Sequence, residues 1–267
     1  MGPERWPALP HARDRLHLSP PYTQAKGEVR RALGVPDGYD SCAIVGSSGR
    51  LLTGTNGPAI DEHAMVMRMN TAPTAGFEAY VGTRTTMRLV ATTGLNQLLH
   101  DNCNNYDERV CPSEASNVSA AWCPISDVMF NSFGSDSEPT VQALAARVPE
   151  VQRFLASCGS TGKQMMQMSQ TQRALVNETL TPPGYHFMSG LAGVLLAVLL
   201  CDSGVDLYGF DVDNGTQGAD SNTSYHYYDT GEPAATDDIE ASTRLLRQLL
   251  FREPHCVRKG DGSSVAK

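Results

Sequence analysis

The stretch MSGLAGVLLAVLLC, residues 188–201, limits the fold more than any other part of the chain. From Leu191 to Cys201 it carries no charged or hydrogen-bonding side chain apart from the thiol. It is too short to cross a bilayer, which takes ~20 apolar residues. A helix that is apolar on every side has to be buried on every side. The segment is therefore predicted as an interior helix, and the rest of the chain has to supply the layers that cover it. VDLYGFD follows and reads as a strand ending at Gly209.

Further strands precede it. Cys42 to Val45 is a short apolar run ending at Gly46, which suits a buried strand opening into a tight turn. HAMVMRMN and TTMRLVATT are two more candidates. Residues 101–138 are polar and hold three cysteines, which predicts a surface loop region. Helical spacing recurs at Val141, Leu144, Val148, Val151 and Leu155, with Pro149 as a break or kink. DDIEASTRLLRQLLFRE is predicted as an amphipathic helix with Ile239, Leu245, Leu246, Leu249 and Leu250 on one face. Thr236 can cap it, Asp237 and Asp238 suit its positive end, and Pro254 stops it. Residues 1–36 are rich in Pro and Arg without a period and read as a loose arm. Strands alternating with helices predict an α/β fold: a mostly parallel sheet flanked by helices on both faces, in one domain over 37–267.

Charge narrows the partners. Of the 267 residues, 21 are basic and 29 acidic, a formal net charge of −8. Such a surface repels a phosphate backbone, so nucleic acid is excluded as an expected partner, although a single nucleotide in a local pocket is not. Seven cysteines (42, 103, 111, 123, 158, 201 and 256) include no C-x-x-C pair, and the histidines lack metal-ligand spacing. Disulfides in an oxidising compartment are the preferred reading, with buried inert thiols as the other. Four N-x-[ST] sequons, at Asn117, Asn177, Asn214 and Asn222, point to the same compartment. The first residues have no apolar segment of signal-peptide or anchor type. Either an anchor lies upstream, or the protein is cytosolic and the sequons carry no sugar.

Three stretches hold residues suited to chemistry. After the first strand, Gly46 and Gly49 allow close backbone approach to an anion or a sugar, and Ser47 and Ser48 add hydroxyls. The alternative is a purely structural turn. Asn70, at the end of the second strand, is placed to read a base or ribose edge. Ser189 and Gly190 precede the apolar helix, where a phosphate can sit on free N–H groups, or where serine simply caps the helix. His226, among Tyr225, Tyr227 and Tyr228, is either a phosphate donor or a packing residue.

Together these stretches resemble the sialyltransferases of animal type. Residues 42–90 are similar to that family's long motif, including IDEH, RMNTAPTAGFE and VGTRTT. Residues 188–210, with VDLYGF, are similar to its short motif, and His226, Tyr227, Tyr228 and Asp229 to its HYY[ED] motif. The resemblance implies a variant GT-A, Rossmann-like fold and a Golgi-lumen enzyme of type II topology. It implies transfer of sialic acid from CMP-sialic acid to a galactose or N-acetylgalactosamine hydroxyl of a glycoprotein or glycolipid, with inversion. It implies no metal and no cofactor beyond that donor. It also implies a Cys42–Cys201 disulfide pinning the two nucleotide-binding segments, and donor contacts from Ser47, Ser48, Asn70, Ser189, Gly190 and His226.

Two positions depart from the family pattern. Ser47 stands where the family has asparagine. The very short H-x-x-x-x-E motif finds its glutamate in Glu240 but has Ala235 in place of its histidine; shifted in register, Asp237 takes that place. The histidine should be the general base that deprotonates the acceptor hydroxyl. Alanine accepts no proton, and an exposed aspartate is a weak base, weakened further at a helix N-terminus. Three explanations stand side by side. The chain binds CMP-sugar or glycan with impaired catalysis; Asp237, Asp238 or a distant histidine takes over; or the position was deliberately mutated.

Overall fold

A computed structural model describes residues 26–31, 35, 37–70, 72–90, 128–131, 149, 164–166, 188–210, 212, 223–229, 239–252 and 257–260. Among these, the strands are β1 (Cys42–Val45), β2 (Met65–Met69), β3 (Met87–Val90), β4 (Val128–Asn131), β5 (Gln164–Met166), β6 (Val205–Tyr208) and β7 (Val257–Lys259). They form a seven-stranded sheet in the order β5-β4-β3-β2-β1-β6-β7, with every pairing parallel. From β1 the chain steps outward one strand at a time to β5. It then returns to the other side of β1 with β6 and continues outward to β7. The order reverses between β1 and β6, and in open sheets of this kind ligands bind beyond the strand C-terminal ends at that point.

The central strands are buried and mostly apolar on both faces because both faces are covered; the exceptions are Arg68, Arg88 and Asp206. The helices are α1 (26–31), α2 (Gly57–Asp61), α3 (Glu78–Val81), α4 (Ser189–Leu200) and α5 (Ile239–Arg252), with a 3-10 turn at Gly49–Thr53. On one face α4 and α5 cover Cys42, Ile44, Met65, Met67, Met69, Met87, Leu89, Val205 and Leu207. All ten residues of α4 from Leu191 to Leu200 are buried, as a helix apolar all round requires. In α5, Leu245, Leu246, Leu249 and Leu250 face the core and Arg244 faces solvent. The opposite face packs Ala43, Val45, Val66 and Tyr208 under Leu51, Ile60, Phe77, Val81, Tyr227 and Tyr228.

Cys42 and Cys201 are disulfide-bonded, with Cα atoms 6.2 Å apart. The bridge joins the first residue of β1 to the residue that ends α4. It therefore lies at the N-terminal edge of the strands. As the resemblance implied, the bridge ties the segment that begins with β1 to the segment that carries α4; α4 is 12 residues long, about 18 Å, so its N-terminus lies at the opposite edge of the sheet.

The sequence reading differs from the structure elsewhere too. Residues 26–31, expected as loose arm, are helical, with Val29 in the core and Arg30 buried. Arg30 donates from Nε to the Leu199 carbonyl (2.9 Å) and from Nη2 to the Leu200 carbonyl (3.1 Å) and to Asp202 (2.8 Å). It satisfies the open carbonyls at the end of α4, where a cation is favoured. β4 lies inside the region read as surface loop, and β5 and β7 were not anticipated; runs of three or four residues are too short to show a period. The predicted helix around Val141–Leu155 lies outside the described residues apart from Pro149, which is helical. The capping residues Thr236, Asp237 and Asp238 and the sequon asparagines also lie outside them.

Candidate active site

The backbone beyond β1 meets the backbone beyond β6. Gly46 donates its N–H to the Tyr208 carbonyl (2.8 Å). A Cβ on Gly46 would stand 2.6 Å from the Gly209 carbonyl oxygen and 3.3 Å from Phe210 Cε2, and one on Gly190 would stand 3.0 Å from Phe210 Cε1. One ring thus lies close to both the turn after β1 and the first turn of α4; a side chain at Gly46 would clash with the Gly209 carbonyl, and one at Gly190 would crowd the ring. α4 runs antiparallel to the strands, since it precedes the parallel strand β6, so its N-terminus lies at this edge.

Met188 is the N-cap of α4 and makes no side-chain capping bond; Ser189 is the first helical residue, so the capping alternative for Ser189 fails. The first N–H groups of a helix have no intrahelical acceptor and carry its partial positive charge. Ser48, by contrast, is committed locally: its Oγ accepts from Arg50 N–H (3.2 Å) and caps the 3-10 turn.

The segment 223–229 is laid onto the same turn. Gly49 N–H donates to the Ser224 carbonyl (3.0 Å), and Tyr227 N–H donates to the Ser47 carbonyl (2.8 Å). Tyr227 anchors it: the ring is buried edge-on against Phe77 and Tyr228, with centroids 5.0 and 4.8 Å away, and its hydroxyl donates to the Pro73 carbonyl. Burial pushes that hydroxyl up to about 12, against the pull of Arg68 and Arg88. The packing role belongs to Tyr227 and Tyr228. The His226 imidazole keeps 20% of its surface exposed, and its Nδ1 lies 2.8 Å from Asp229 Oδ1.

Asn70 ends β2 at the same edge in a left-handed conformation, φ 43°. Its N–H donates to the Leu89 carbonyl (2.8 Å), and its own carbonyl accepts from Arg88 Nη1 (2.6 Å), which also reaches the Ala72 carbonyl (3.0 Å). Arg88 is paired in register with Arg68, and both guanidiniums are buried. Arg68 donates to the Val81 and Arg84 carbonyls and to Thr85 Oγ1. Burial pulls both down to about 10, and for Arg88 the Arg68 charge adds to that. Both still carry a proton at neutral pH; the Arg88 charge lies under the turn that holds Asn70, and the Arg68 charge is held by Val81, Arg84 and Thr85. Sequence reasoning missed them, although a lone arginine in an apolar strand is the available signal. Glu240 lies in the first turn of α5, whose N-terminus topology brings to this edge; Asp237 and Ala235 lie outside the described residues. Among the described residues no three His, Cys, Asp or Glu side chains are grouped to hold a metal ion, and no helix is long and apolar enough to cross a membrane.

Residues 16–250 match glycosyltransferase family 29, the sialyltransferases. The chain belongs to this family. Among curated family relatives, a human β-galactosamide α-2,3-sialyltransferase is 32% identical over 74% of this chain and 50% of its own length. A β-1,6-galactosyltransferase of Arabidopsis thaliana is 28% identical over 79% of this chain and 51% of its own. The chain spans between half and just under two thirds of the length of such relatives. In fold, it is similar to a mammalian sialyltransferase solved with Gal-β-1-3GalNAc-ortho-nitrophenol, at 20% identity and a TM-score of 0.52 over 92% of this chain and 84% of that one. The variant Rossmann-like fold expected from the motifs is the family-29 fold seen here.

Proposed function

We propose that the chain is the catalytic part of a sialyltransferase that moves sialic acid from CMP-sialic acid to a galactose or N-acetylgalactosamine hydroxyl of a glycoconjugate. The observation that carries this reading is the docking of the His226 segment onto the Ser47–Gly49 backbone, at the strand edge where α4 begins. The first N–H groups of α4, with Ser189 and Gly190, would seat the donor phosphate. Ser47 and Asn70 would face the nucleoside, and His226 would stabilise charge on the leaving phosphate. The acceptor hydroxyl would attack the anomeric carbon from the opposite side, giving inversion, and no metal would be needed. Golgi residence and an anchor outside this chain belong to the same proposal.

The proton of the acceptor hydroxyl needs a base, and Ala235 supplies none. Asp237 and Glu240 are the nearby carboxylates in sequence. This favours a second reading, a CMP-sugar or glycan binder with impaired catalysis; losing a positioned base costs ~10²–10⁴ in rate. Titration calorimetry with CMP, run beside transfer assays on Gal-terminated glycans, separates the two. CMP binding with transfer supports the enzyme. Binding without transfer, and transfer gained in Ala235→His or Asp237→His, supports the impaired homologue. Transfer from a nucleotide-galactose donor instead of CMP-sialic acid would overturn the donor assignment, an arm motivated by the galactosyltransferase relative. No CMP binding at all would overturn both readings.

A further inference from the structure

The His226 imidazole is held in one orientation. The Tyr228 ring stacks on it at a centroid distance of 4.9 Å and an interplanar angle of 10°. Tyr225 leans against it at 4.5 Å. In the ring plane, Nδ1 lies 2.8 Å from Asp229 Oδ1, and the carboxyl group is only 5% exposed. A carboxylate has no proton to give, so this bond requires the proton on Nδ1. Nε2, across the ring, then points away from Asp229 and makes no hydrogen bond among the described residues.

The backbone explains why the pair forms. Tyr227 is locked into the core by Phe77 and the Pro73 carbonyl, and its N–H is tied to Ser47. The residues on either side of it are therefore fixed, and the turn brings Asp229 back under His226 three positions later. We propose that Asp229 is a positioning residue: by accepting from Nδ1–H it sets the orientation of the His226 ring and aims Nε2 at the phosphate of the nucleotide-sugar donor, to which Nε2 donates once the ring is the imidazolium. The inference rests on the preceding reading that His226 faces that phosphate. It assigns a role to a side chain that touches neither donor nor acceptor. Without the carboxylate the ring could flip, and Nδ1 instead of Nε2 would face the phosphate.

The test combines ¹⁵N-histidine NMR with CMP titration. His226 signals are identified by their loss in His226→Gln. In the unaltered protein at neutral or higher pH they are expected to show the Nδ1–H pattern; an Nε2–H pattern overturns the inference without any variant at Asp229. In Asp229→Asn the amide can donate to Nδ1, which excludes the imidazolium and leaves a neutral Nε2–H ring; the charge-assisted bond to the phosphate is lost, and CMP is expected to bind about 10-fold more weakly or worse. Asp229→Glu keeps a carboxylate and is expected to restore the tautomer and most of the affinity. If Asp229→Asn binds CMP as tightly as the unaltered protein while His226→Gln does not, the inference falls and the donor-site reading stands. If the unaltered protein binds no CMP, the donor-site reading falls and takes the inference with it.

Discussion

Removing the Cys42–Cys201 bridge should lower stability sharply while leaving nucleotide affinity nearly intact. The bridge closes a loop of 159 residues. Cross-linking so long a loop restricts the unfolded chain by about 5 kcal/mol in the chain-entropy account, and measured losses for native bridges run about 2–5 kcal/mol. Both cysteines are buried, so the Cys42→Ala/Cys201→Ala variant also loses packing at that edge. The assay is urea unfolding of the two proteins at one pH. With a urea slope of about 3 kcal/mol per M, the midpoint should fall by ~0.7–1.7 M. Calorimetry with CMP on the still-folded variant should show a change of under about 3-fold, because the bridge sits at the strand edge remote from Gly46, Ser189 and His226 and additive behaviour is expected of distant sites. A midpoint shift below ~0.3 M, about 1 kcal/mol, would refute the loop-closure reasoning. A collapse in CMP affinity without loss of stability would refute the placement of the site.

Three further outcomes are expected. A Cβ on Gly49 would stand 2.4 Å from Ser224 Oγ and 2.8 Å from its carbonyl oxygen, so Gly49→Ala should displace the His226 segment, cost about 1–3 kcal/mol and weaken CMP binding; unchanged CMP affinity by calorimetry would count against that segment lining the site. The second concerns the opposite edge, where the hydrogen bond that His63 donates to Asp206 raises the imidazole above 6.5 against the effect of burial. Burial pushes the Asp206 carboxyl up, but hydrogen bonds from His63 and Arg258 outweigh it and bring it to about 2. The His63 contribution is therefore whole below pH 6.5 and lost as pH rises through its folded-state value, while that of Asp206 is whole above pH 3.8 and lost on acidification toward about 2. His63→Gln should thus cost more stability at about pH 5.5 than at about pH 8.5, and equal urea-midpoint losses at both would contradict this. Third, Ser47→Asn restores an amide beside the turn after β1 and should tighten CMP binding; an unchanged dissociation constant would remove Ser47 from the donor site.

The long and strongly patterned elements are legible in the residue order. β1, β2, β3, β6, α4 and α5 each follow from an apolar run or a helical stripe of sufficient length. β4, β5 and β7 do not: QMM and VRK are three residues with a polar member, and VMFN stands among Asp, Ser and Gly, so no extended apolar run marks them. The helical turn at 26–31 is hidden for a similar reason. Its place depends on Arg30 finding the last carbonyls of α4, a contact between residues 169 positions apart. The cysteine pair followed from the family resemblance, since seven cysteines leave many pairings open. Of the site, the turn glycines, Asn70 and His226 could be named from motifs, whereas Arg88, which holds the Asn70 turn, and Phe210, which joins Gly46 to Gly190, could not.

Local chemistry settled which segments become strand, buried helix or turn, because hydrophobic period and glycine placement act over a few residues. It also settled that an imidazole flanked by three aromatic rings would occupy a turn. It left open whether that imidazole packs or faces outward. The choice was made by contacts across the fold: the Tyr227 side chain enters the core, its N–H finds Ser47, and His226 is turned to the other side beside Asp229. Such contacts exist only after parallel pairing has brought β6 back beside β1, which is why no window of sequence contains them.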